Sequence, residues 1–155
     1  MVDLGCGEGI LHNLVAPEKI FSAIHSYDLV QLAPHVEVVD IKQLPLESQS
    51  VNVAVFCLSL MGTNYLDFLT EAARVLKTGG VLIISEVLSR FRSTHIFEMI
   101  VMQLGFNLLH SVDSVDSETA GHALQPNGVQ EEGRTGDGPR QKMWILGTEG
   151  QQTEG

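Results

Sequence analysis

The residues best able to do chemistry lie in a glycine-rich stretch near the start of the chain, Asp3-Leu4-Gly5-Cys6-Gly7-Glu8-Gly9. Glycine lets a backbone turn sharply and approach a ligand without a Cβ clash, and a helix that begins just after the turn offers free N–H groups. The spacing is GxGxG, and Ile10 stands where the dinucleotide fingerprint has Gly or Ala. The pattern therefore predicts a ligand-binding turn and disfavours NAD and FAD, with a purely structural turn as the alternative.

Two aspartates farther along the chain have positions typical of nucleoside recognition. Asp28 lies 23 residues after Gly5, at the predicted end of the second strand, where a carboxylate can accept hydrogen bonds from both hydroxyls of a ribose. Asp40 follows the third predicted strand, and its carboxylate can accept a hydrogen bond from an adenine amino group while Ile41 covers the ring face. Either aspartate alone would be read as a cap or an ordinary loop acid, but the spacing of Asp28 from the glycine turn favours the functional interpretation.

Cysteine and histidine give weaker signals. Cys57 lies at the end of the fourth predicted strand, and we expect it to line a pocket without reacting, because no base or cation is near it in sequence. The six histidines have no ligand-like spacing with cysteines or acids, so no metal site is expected. Neither a GxSxG nucleophile elbow nor a P-loop occurs.

Two groups of charged residues lie outside these motifs. Arg90, Arg92 and His95 form a small basic cluster after the fifth predicted strand, for which a solvated loop is favoured over a phosphate contact. Glu71 and Arg74 are spaced i,i+3 on a predicted helix, and we expect them to lie on a solvated face.

Short apolar runs alternate with helical stretches over the first 112 residues, and these elements must position the candidates. Strands are predicted at 2–4, 21–27, 36–39, 51–58, 81–85 and 106–112, and helices at 10–15, 65–76 and 93–104. Asn64 is a plausible cap of the second helix, and Gly79-Gly80 is expected to end it. This order predicts an α/β fold with a mostly parallel, doubly wound sheet, in which ligands bind at the carboxyl ends of the strands.

The chain changes character near residue 113. Residues 1–112 form the predicted core. Residues 113–141 are rich in Ser, Glu, Gly, Gln and Pro, so they are expected to form a flexible polar tail. The apolar run within 142–147 is a candidate last strand, and 148–155 are expected to be disordered.

The composition limits the classes of function. The 155 residues have a net charge of −10 and are 44% hydrophobic, which is typical of one globular domain. No apolar run is long enough to span a bilayer and no secretory leader is evident, so we expect neither membrane insertion nor secretion. Cys6 and Cys57 are expected to be reduced intracellular thiols. Because phosphate affinity comes largely from Lys and Arg, the chain is expected to bind nucleic acid poorly without a separate basic surface.

Taken together, the glycine stretch, Asp28, Asp40 and the turn Leu76-Lys77-Thr78-Gly79-Gly80 resemble those of class I S-adenosylmethionine-dependent methyltransferases. Two segments resemble one family within that class, the ribosomal RNA-processing protein 8 family, called nucleomethylin in animals. They are SVNVAVFCLSLMGTNYLDFLTEAARVLKTGGVLIISEVLSRF and LGFNLLHS. Within them VAVFCLSLMGTN is the specific signature. The resemblance covers about residues 2–112.

This resemblance implies a Rossmann-like enzyme of the nucleus and nucleolus that methylates N1 of an adenine in large-subunit ribosomal RNA. It implies S-adenosylmethionine as the cofactor, with chromatin-silencing proteins as further partners of the animal members. The cofactor contacts implied by matching motif positions are Gly5, Gly7, Asp28, Asp40, Ile41 and Cys57. No catalytic residue is implied, because adenine N1 is itself a nucleophile.

The chain also departs from the family pattern. Relative to the family, it begins inside the first strand, which predicts a core truncated at the N-terminus and lacking a segment that helps to close the cofactor site. The polar segment 113–141 replaces the family's Phe-rich last strand. These departures and the acidic charge favour a second hypothesis, a non-catalytic interaction module of a chromatin-silencing assembly. A dehydrogenase is a distant third, because Ile10 disfavours it.

Overall fold

A seven-stranded sheet organises the described part of the chain. The computed structural model describes residues 1–114 and 139–149. The strands are β1 (Val2–Leu4), β2 (His25–Asp28), β3 (Val36–Val38), β4 (Val51–Cys57), β5 (Leu76–Val87), β6 (Phe106–Ser114) and β7 (Gln141–Thr148). The helices are α1 (Ile10–Val15), α2 (Tyr65–Val75) and α3 (Thr94–Gln103), with 3₁₀ turns at Ala16–Glu18 and Leu88–Arg90. In these described residues, no helix has the length and apolar character needed to cross a membrane.

The strand order places a topological switch point in the middle of the sheet. The order is β3-β2-β1-β4-β5-β7-β6, with β1 to β5 parallel and β7 antiparallel to both of its neighbours. The chain runs outward from β1 through β2 to β3 and then crosses back to β4 on the other side of β1. In such sheets ligands bind beyond the carboxyl ends of the strands at this reversal. The glycine turn follows β1 at that place.

The central strands are buried because their side chains are apolar on both faces. In β4 the sequence is VNVAVFC, and Ala54 and Phe56 are fully buried there, as are Leu82 and Ile84 of β5. Near-continuous apolar runs of this kind are characteristic of parallel strands covered on both sides. They give the carboxyl edge of the sheet a fixed base.

Helix α3 and strand β7 pack together through aromatic side chains. The Ser93 side chain caps the helix by accepting a hydrogen bond from the Ile96 amide at 3.4 Å. Trp144 of β7 is fully buried, its ring centroid lies 5.1 Å from that of Phe97, and its indole N–H donates to Glu98 Oε1 at 2.8 Å. A Trp is tolerated in the core because this N–H finds a partner.

Several predicted boundaries differ from the structure. Helix α2 ends at Val75 and β5 begins at Leu76, so Gly79-Gly80 lies inside a strand and was wrongly predicted to end the helix. The paired register shifts here between Val51 and Val53 of β4, and such an irregularity suits glycine. Asn64 occupies the cap position of α2, but its side chain makes no cap hydrogen bond.

The second strand and the chain's later segments also differ in extent. β2 begins at His25, four residues later than predicted, and β6 extends beyond 112 to Ser114. Strand β7 spans Gln141–Thr148, one residue beyond each end of the candidate strand at 142–147. Most of the predicted polar tail, from 115 to 138, and residues 150–155 lie outside the described part of the chain.

Candidate functional site

The turn after β1 is built from three glycines with left-handed backbone. The φ angles are 72° at Gly5, 56° at Gly7 and 67° at Gly9, a region that residues with a Cβ rarely adopt. The amides of Gly5 and Cys6 donate to the Tyr27 carbonyl of β2 at 2.8 and 3.1 Å. The turn is therefore fixed to the edge of the sheet, and its open side has room for a ligand, since a Cβ at Gly7 would meet nothing within 4 Å.

Asp28 lies directly against this turn. Its Oδ2 accepts a hydrogen bond from the Gly7 amide at 2.8 Å, and its Oδ1 accepts one from the Val30 amide at 3.2 Å. These two bonds hold the carboxylate at the end of β2 beside the glycines. The structure thus brings together Gly5, Gly7 and Asp28, three of the residues singled out by the sequence.

Ile41 also reaches the turn, whereas the Asp40 carboxylate is engaged elsewhere. Ile41 is 6% exposed, and its Cδ1 would be 3.6 Å from a Cβ placed at Gly5. Asp40 is exposed and forms an ion pair with Lys42 Nζ at 3.1 Å and a hydrogen bond with the Lys42 amide at 3.1 Å. The side-chain bond from Lys42 lowers the pKa of the Asp40 carboxyl. Asp40 is therefore ionised at neutral pH, with Lys42 bonded to both of its carboxylate oxygens.

Helix α2 fixes the loop that carries Asp40 and Ile41. Glu71 Oε1 accepts the Leu44 amide at 2.7 Å, and the Arg74 guanidinium bonds both Glu71 and the Leu44 carbonyl, at 2.6 and 3.2 Å. The bond from Arg74 holds the pKa of Glu71 below its usual value. The Glu71 side chain is only 12% exposed. The prediction of a solvated face was therefore wrong, because this pair joins a helix to a loop.

Both cysteines lie near the carboxyl edge and are held as thiols. Burial raises the pKa of Cys6 to about 11, with further effects from the carboxylates of Asp3 and Asp28. Burial also raises the pKa of Cys57, as do Asp3 and Glu86. Since the thiolate is the reactive form of cysteine, neither residue is suited to act as a nucleophile. Cys57 is the last residue of β4, and its role in lining the cofactor site stays a prediction.

Asp3 opens the glycine-rich stretch but is not among the cofactor contacts predicted from the sequence. It is 3% exposed, and no described residue donates a hydrogen bond to its side chain. Burial, followed by the nearby Asp28 carboxylate, raises its pKa to about 6. A buried acid that lacks a donor and lies beside a second acid is a ready partner for a cationic group. Its position immediately before the glycine turn was the available signal.

Two further contacts to the turn come from distant parts of the sequence. Ser59 Oγ donates to the Leu4 carbonyl at 2.6 Å, and a Cβ at Gly5 would overlap Ser59 Cβ. His35 Nε2 lies 3.2 Å from the Gly9 carbonyl, and its ring stacks on His12 with centroids 4.3 Å apart. Ser59 lies within the family signature VAVFCLSLMGTN, but nothing in the sequence indicates its contact with the turn, and no motif marks His35. Together they close the turn on two sides.

This arrangement fits a nucleoside that carries a positive charge. The glycine turn allows close approach of the backbone, Asp28 and Asp40 offer carboxylate acceptors, and Ile41 offers an apolar face. Asp3 offers a further carboxyl, to which no described residue donates a hydrogen bond. Among residues 1–114 and 139–149, no three or more His, Cys, Asp or Glu side chains are grouped so that they could hold a metal ion.

A mostly parallel sheet with a glycine turn and acids at its switch point defines the class as a Rossmann-like, class I methyltransferase core. A solved S-adenosylmethionine-dependent methyltransferase from Mesorhizobium loti has the same fold, with a TM-score of 0.72, 16% identity and coverage of 94% of this chain and 89% of that one. This confirms the predicted fold class. The chain belongs to the family described as hypothetical methyltransferases, whose model matches residues 1–129.

Curated relatives narrow the likeness to the group indicated by the sequence. The mouse ribosomal RNA-processing protein 8 is 50% identical over 110 residues, which are 71% of this chain and 23% of that protein. The 25S rRNA (adenine(645)-N(1))-methyltransferase of Schizosaccharomyces pombe is 44% identical over 108 residues, 68% of this chain and 34% of that protein. The predicted family resemblance is confirmed. The chain spans between about a quarter and a third of the length of these relatives.

Proposed function

We propose that this chain is the cofactor-binding core of a methyltransferase that uses S-adenosylmethionine to methylate N1 of an adenine in large-subunit ribosomal RNA. The observation that carries the proposal is the bond of 2.8 Å between the Gly7 amide and Asp28 Oδ2, which sets an acid at the mouth of the glycine turn. The proposed substrate is taken from two relatives that are named as 25S rRNA (adenine-N(1))-methyltransferases. Their role in ribosomal RNA processing supports a nucleolar location.

Different residues bind different parts of S-adenosylmethionine in this proposal. The glycine turn admits the methionine end, Asp28 accepts hydrogen bonds from the ribose hydroxyls, and Asp40 with Ile41 holds the adenine. Cys57 lines the same edge. When bound, S-adenosylmethionine supplies a methyl group on a positively charged sulfur. We assign no general base, because adenine N1 has a free lone pair, so the chain contributes mainly by positioning.

Asp3 adds an electrostatic contribution to this assignment. Its carboxyl, to which no described residue donates a hydrogen bond, is close enough to Asp28 for that carboxylate to raise its pKa, and it contributes to the raised pKa of the Cys6 thiol. A cationic ligand placed there would favour the ionised form of Asp3 and relieve its repulsion with Asp28. The two acids therefore favour a ligand with positive charge over a neutral nucleoside.

Calorimetric titration of the chain with S-adenosylmethionine, beside the variant Asp28→Ala, tests the proposal. We expect micromolar binding by the chain and a loss of at least about tenfold in the variant, since charged hydrogen bonds contribute about 1.5–3 kcal/mol. Glu37→Ala, an exposed acid on the neighbouring strand β3, is the matched control and should bind normally. Equal affinity of the chain and Asp28→Ala would refute the cofactor assignment.

A non-catalytic interaction module within a chromatin-silencing assembly is the second candidate. The net charge of −10 favours it, because this charge opposes association with RNA. A transfer assay with tritiated S-adenosylmethionine and large-subunit ribosomal RNA separates the two. Incorporation of the label supports the enzyme. Cofactor binding by a folded chain without incorporation supports the module.

A further inference from the structure

The carboxyl edge of the sheet carries a second feature, a cavity lined by residues that follow β4 and β5, which the cofactor assignment does not use. Its volume is about 400 Å³, within the range of small-molecule sites. Aromatic rings of Tyr65, Phe91 and Phe97 line it, and Arg90 and Arg92 stand at its rim. We call it the arginine–aromatic pocket.

The pocket has a rigid aromatic base. Phe97 is buried, and its ring centroid lies 4.3 Å from that of Phe91 and 6.3 Å from that of Tyr65. Phe91 also meets the Trp144 ring edge-on at 5.5 Å. The rings of Tyr65 and Phe91 are half-buried, so each keeps a surface toward the cavity. Rings held in this way offer stacking surfaces at low cost in conformational entropy.

The two arginines at the rim of the pocket differ in their contacts. Arg90 Nε pairs with the fully buried Glu86 at 2.8 Å, which fixes the rim in place. Arg92 is exposed, and its side chain makes no ion pair with any residue in the described part of the chain. Lys42, Arg74 and Lys142 are all engaged by acids. Arg92 is therefore a free cation beside an aromatic cavity, on a chain whose net charge is −10.

One short stretch joins this pocket to the glycine turn. Ser59 donates to the Leu4 carbonyl just before the turn, and the next residue, Leu60, lines the pocket. The Leu60 amide donates to Glu86 Oε1 at 2.8 Å, the same carboxylate that holds Arg90. Ser59 and Leu60 thus connect the glycine turn to the pocket through adjacent positions in the chain.

We infer that the arginine–aromatic pocket binds a nucleotide of single-stranded RNA, with its base against Tyr65 and Phe91 and its phosphate on Arg92. The inference deepens the proposed function, on which it rests, because it names the residues that receive the RNA. A nucleobase matches the flat aromatic lining, and unstacked bases of single-stranded RNA are recognised by aromatic rings and arginine. An acidic peptide could satisfy Arg92 but would leave the aromatic lining unused.

Fluorescence anisotropy with a labelled RNA pentanucleotide that has a central adenosine tests the inference. Arg92→Gln should weaken binding about five- to tenfold at about 50 mM salt and should reduce the slope of log affinity against log salt by about 0.7, the value for one phosphate contact on a single strand. Lys77→Gln is the matched control, since it removes the same charge from an exposed position near the start of β5. It should leave affinity and slope unchanged.

The aromatic lining is tested with a pair of variants at Tyr65. Tyr65→Leu should weaken binding about tenfold, because stacking on one ring is lost. Tyr65→Phe keeps the ring and should bind like the unaltered chain. Thermal melting by circular dichroism shows that each variant is folded. If Tyr65→Leu does not fold, the other two variants still test the inference. It then requires that Tyr65→Phe keep full affinity for the RNA and that Arg92→Gln lose affinity.

Three outcomes would overturn the inference. The first is no binding of the RNA by the unaltered chain, and the second is an equal loss of affinity in Arg92→Gln and Lys77→Gln. The third is displacement of the labelled RNA by a phosphoserine peptide as readily as by unlabelled RNA, which would indicate a general anion site. Titration of the same samples with S-adenosylmethionine keeps this result separate from the proposed function. Cofactor binding without RNA binding overturns the pocket alone. RNA binding through Arg92 without cofactor binding supports the pocket and overturns the cofactor assignment.

Discussion

Glycines in the turn after β1 share a left-handed backbone but differ in their surroundings. At Gly5 an added Cβ would overlap Ser59 Cβ, which is fixed to its own backbone and cannot rotate away. At Gly7 the same atom would meet nothing within 4 Å. The φ angles of 72° and 56° place a similar backbone strain on any other residue. A comparison of the two positions therefore separates crowding from strain.

We expect Gly7→Ala to lower the free energy of unfolding by about 1–2 kcal/mol, the cost of a left-handed alanine. Gly5→Ala should cost at least about twice as much, because the turn must also move away from Ser59. Urea denaturation followed by the fluorescence of Trp144, the only tryptophan, measures both. Equal losses at the two positions would mean that Ser59 does not close the turn.

The raised pKa of Asp3 predicts a pH dependence of stability. Its folded value is about 6 and its ordinary value 3.8, so the folded chain holds more protons than the unfolded chain between these limits. The stability contributed by protonated Asp3 is complete below 3.8 and is lost as the pH rises through about 6. Asp3→Asn, which cannot ionise, should therefore gain stability relative to the unaltered chain as the pH rises.

This gain should be about 2–3 kcal/mol between about pH 4 and pH 7.5, from a pKa difference of about two units. Urea titrations of both proteins at the two pH values provide the measurement, and effects of groups that do not interact with Asp3 cancel in the difference. Glu8→Gln, an exposed acid in the same turn, is the control and should show no such change. A constant difference between Asp3→Asn and the unaltered chain would contradict the assignment.

For single residues, the sequence predicted those that belong to local motifs but not the contacts between residues far apart in the chain. Gly5, Gly7 and Asp28 follow a recognisable spacing, and the structure brings them together. Ser59 and His35 reach the turn across 55 and 26 residues of sequence, and no pattern within a single chain encodes such a meeting. The unpaired state of Asp3 was hidden for the same reason, since it depends on what the fold places around the acid.

Among the elements, helix α2 has a role in the site although it carries none of the proposed cofactor contacts. Glu71 and Arg74 bond the amide and the carbonyl of Leu44, so the helix holds the loop on which Asp40 and Ile41 lie. The low exposure of Glu71 strengthens these bonds, because little water competes for the carboxylate. The loop between β3 and β4 is therefore positioned by a helix that follows it in sequence.

Glu71→Ala should lower the free energy of unfolding by about 1.5–3 kcal/mol, the cost of losing hydrogen bonds to a charged group. It should also weaken cofactor binding, because the loop with Ile41 becomes mobile. Hydrogen exchange of the Leu44 amide gives a direct readout, since that amide donates to Glu71. Thr70→Ala, at an exposed neighbour that bonds only within its own helix, should change none of these quantities. Unchanged protection of Leu44 in Glu71→Ala would contradict this role.

The elements themselves show where a sequence pattern becomes ambiguous. Gly79-Gly80 looks like a helix terminator, yet it lies within β5, where Gly79 has a φ of 75° and the pairing with β4 shifts register. A glycine pair can end a helix or permit an irregularity in a strand, and the choice depends on a partner strand about 25 residues earlier. The regular apolar periods of α3 and β4, by contrast, fixed their type and nearly their bounds.

For the whole molecule, the sheet is completed by the strand that comes last in the chain. β7 lies between β5 and β6 and pairs with seven residues of the first and eight of the second. Two side chains of β7, those of Trp144 and Leu146, are buried in the core, and each residue is no more than 1% exposed. The carboxyl end of β5 leads into Arg90 and Phe91, so the arginine–aromatic pocket depends on a strand that arrives from far along the sequence.

Removal of residues 141–155 should therefore abolish cooperative unfolding. Loss of one buried Trp alone costs about 3–5 kcal/mol, and the deletion also exposes edges of β5 and β6 to water, against a total stability of about 5–15 kcal/mol for a domain. Far-UV circular dichroism during urea titration measures the transition without relying on Trp144. Removal of 150–155 alone, beyond β7, is the control and should leave a sharp transition. A sharp transition in the larger deletion would mean that the parallel strands β1 to β5 fold on their own, with β7 and β6 as an addition to a stable unit.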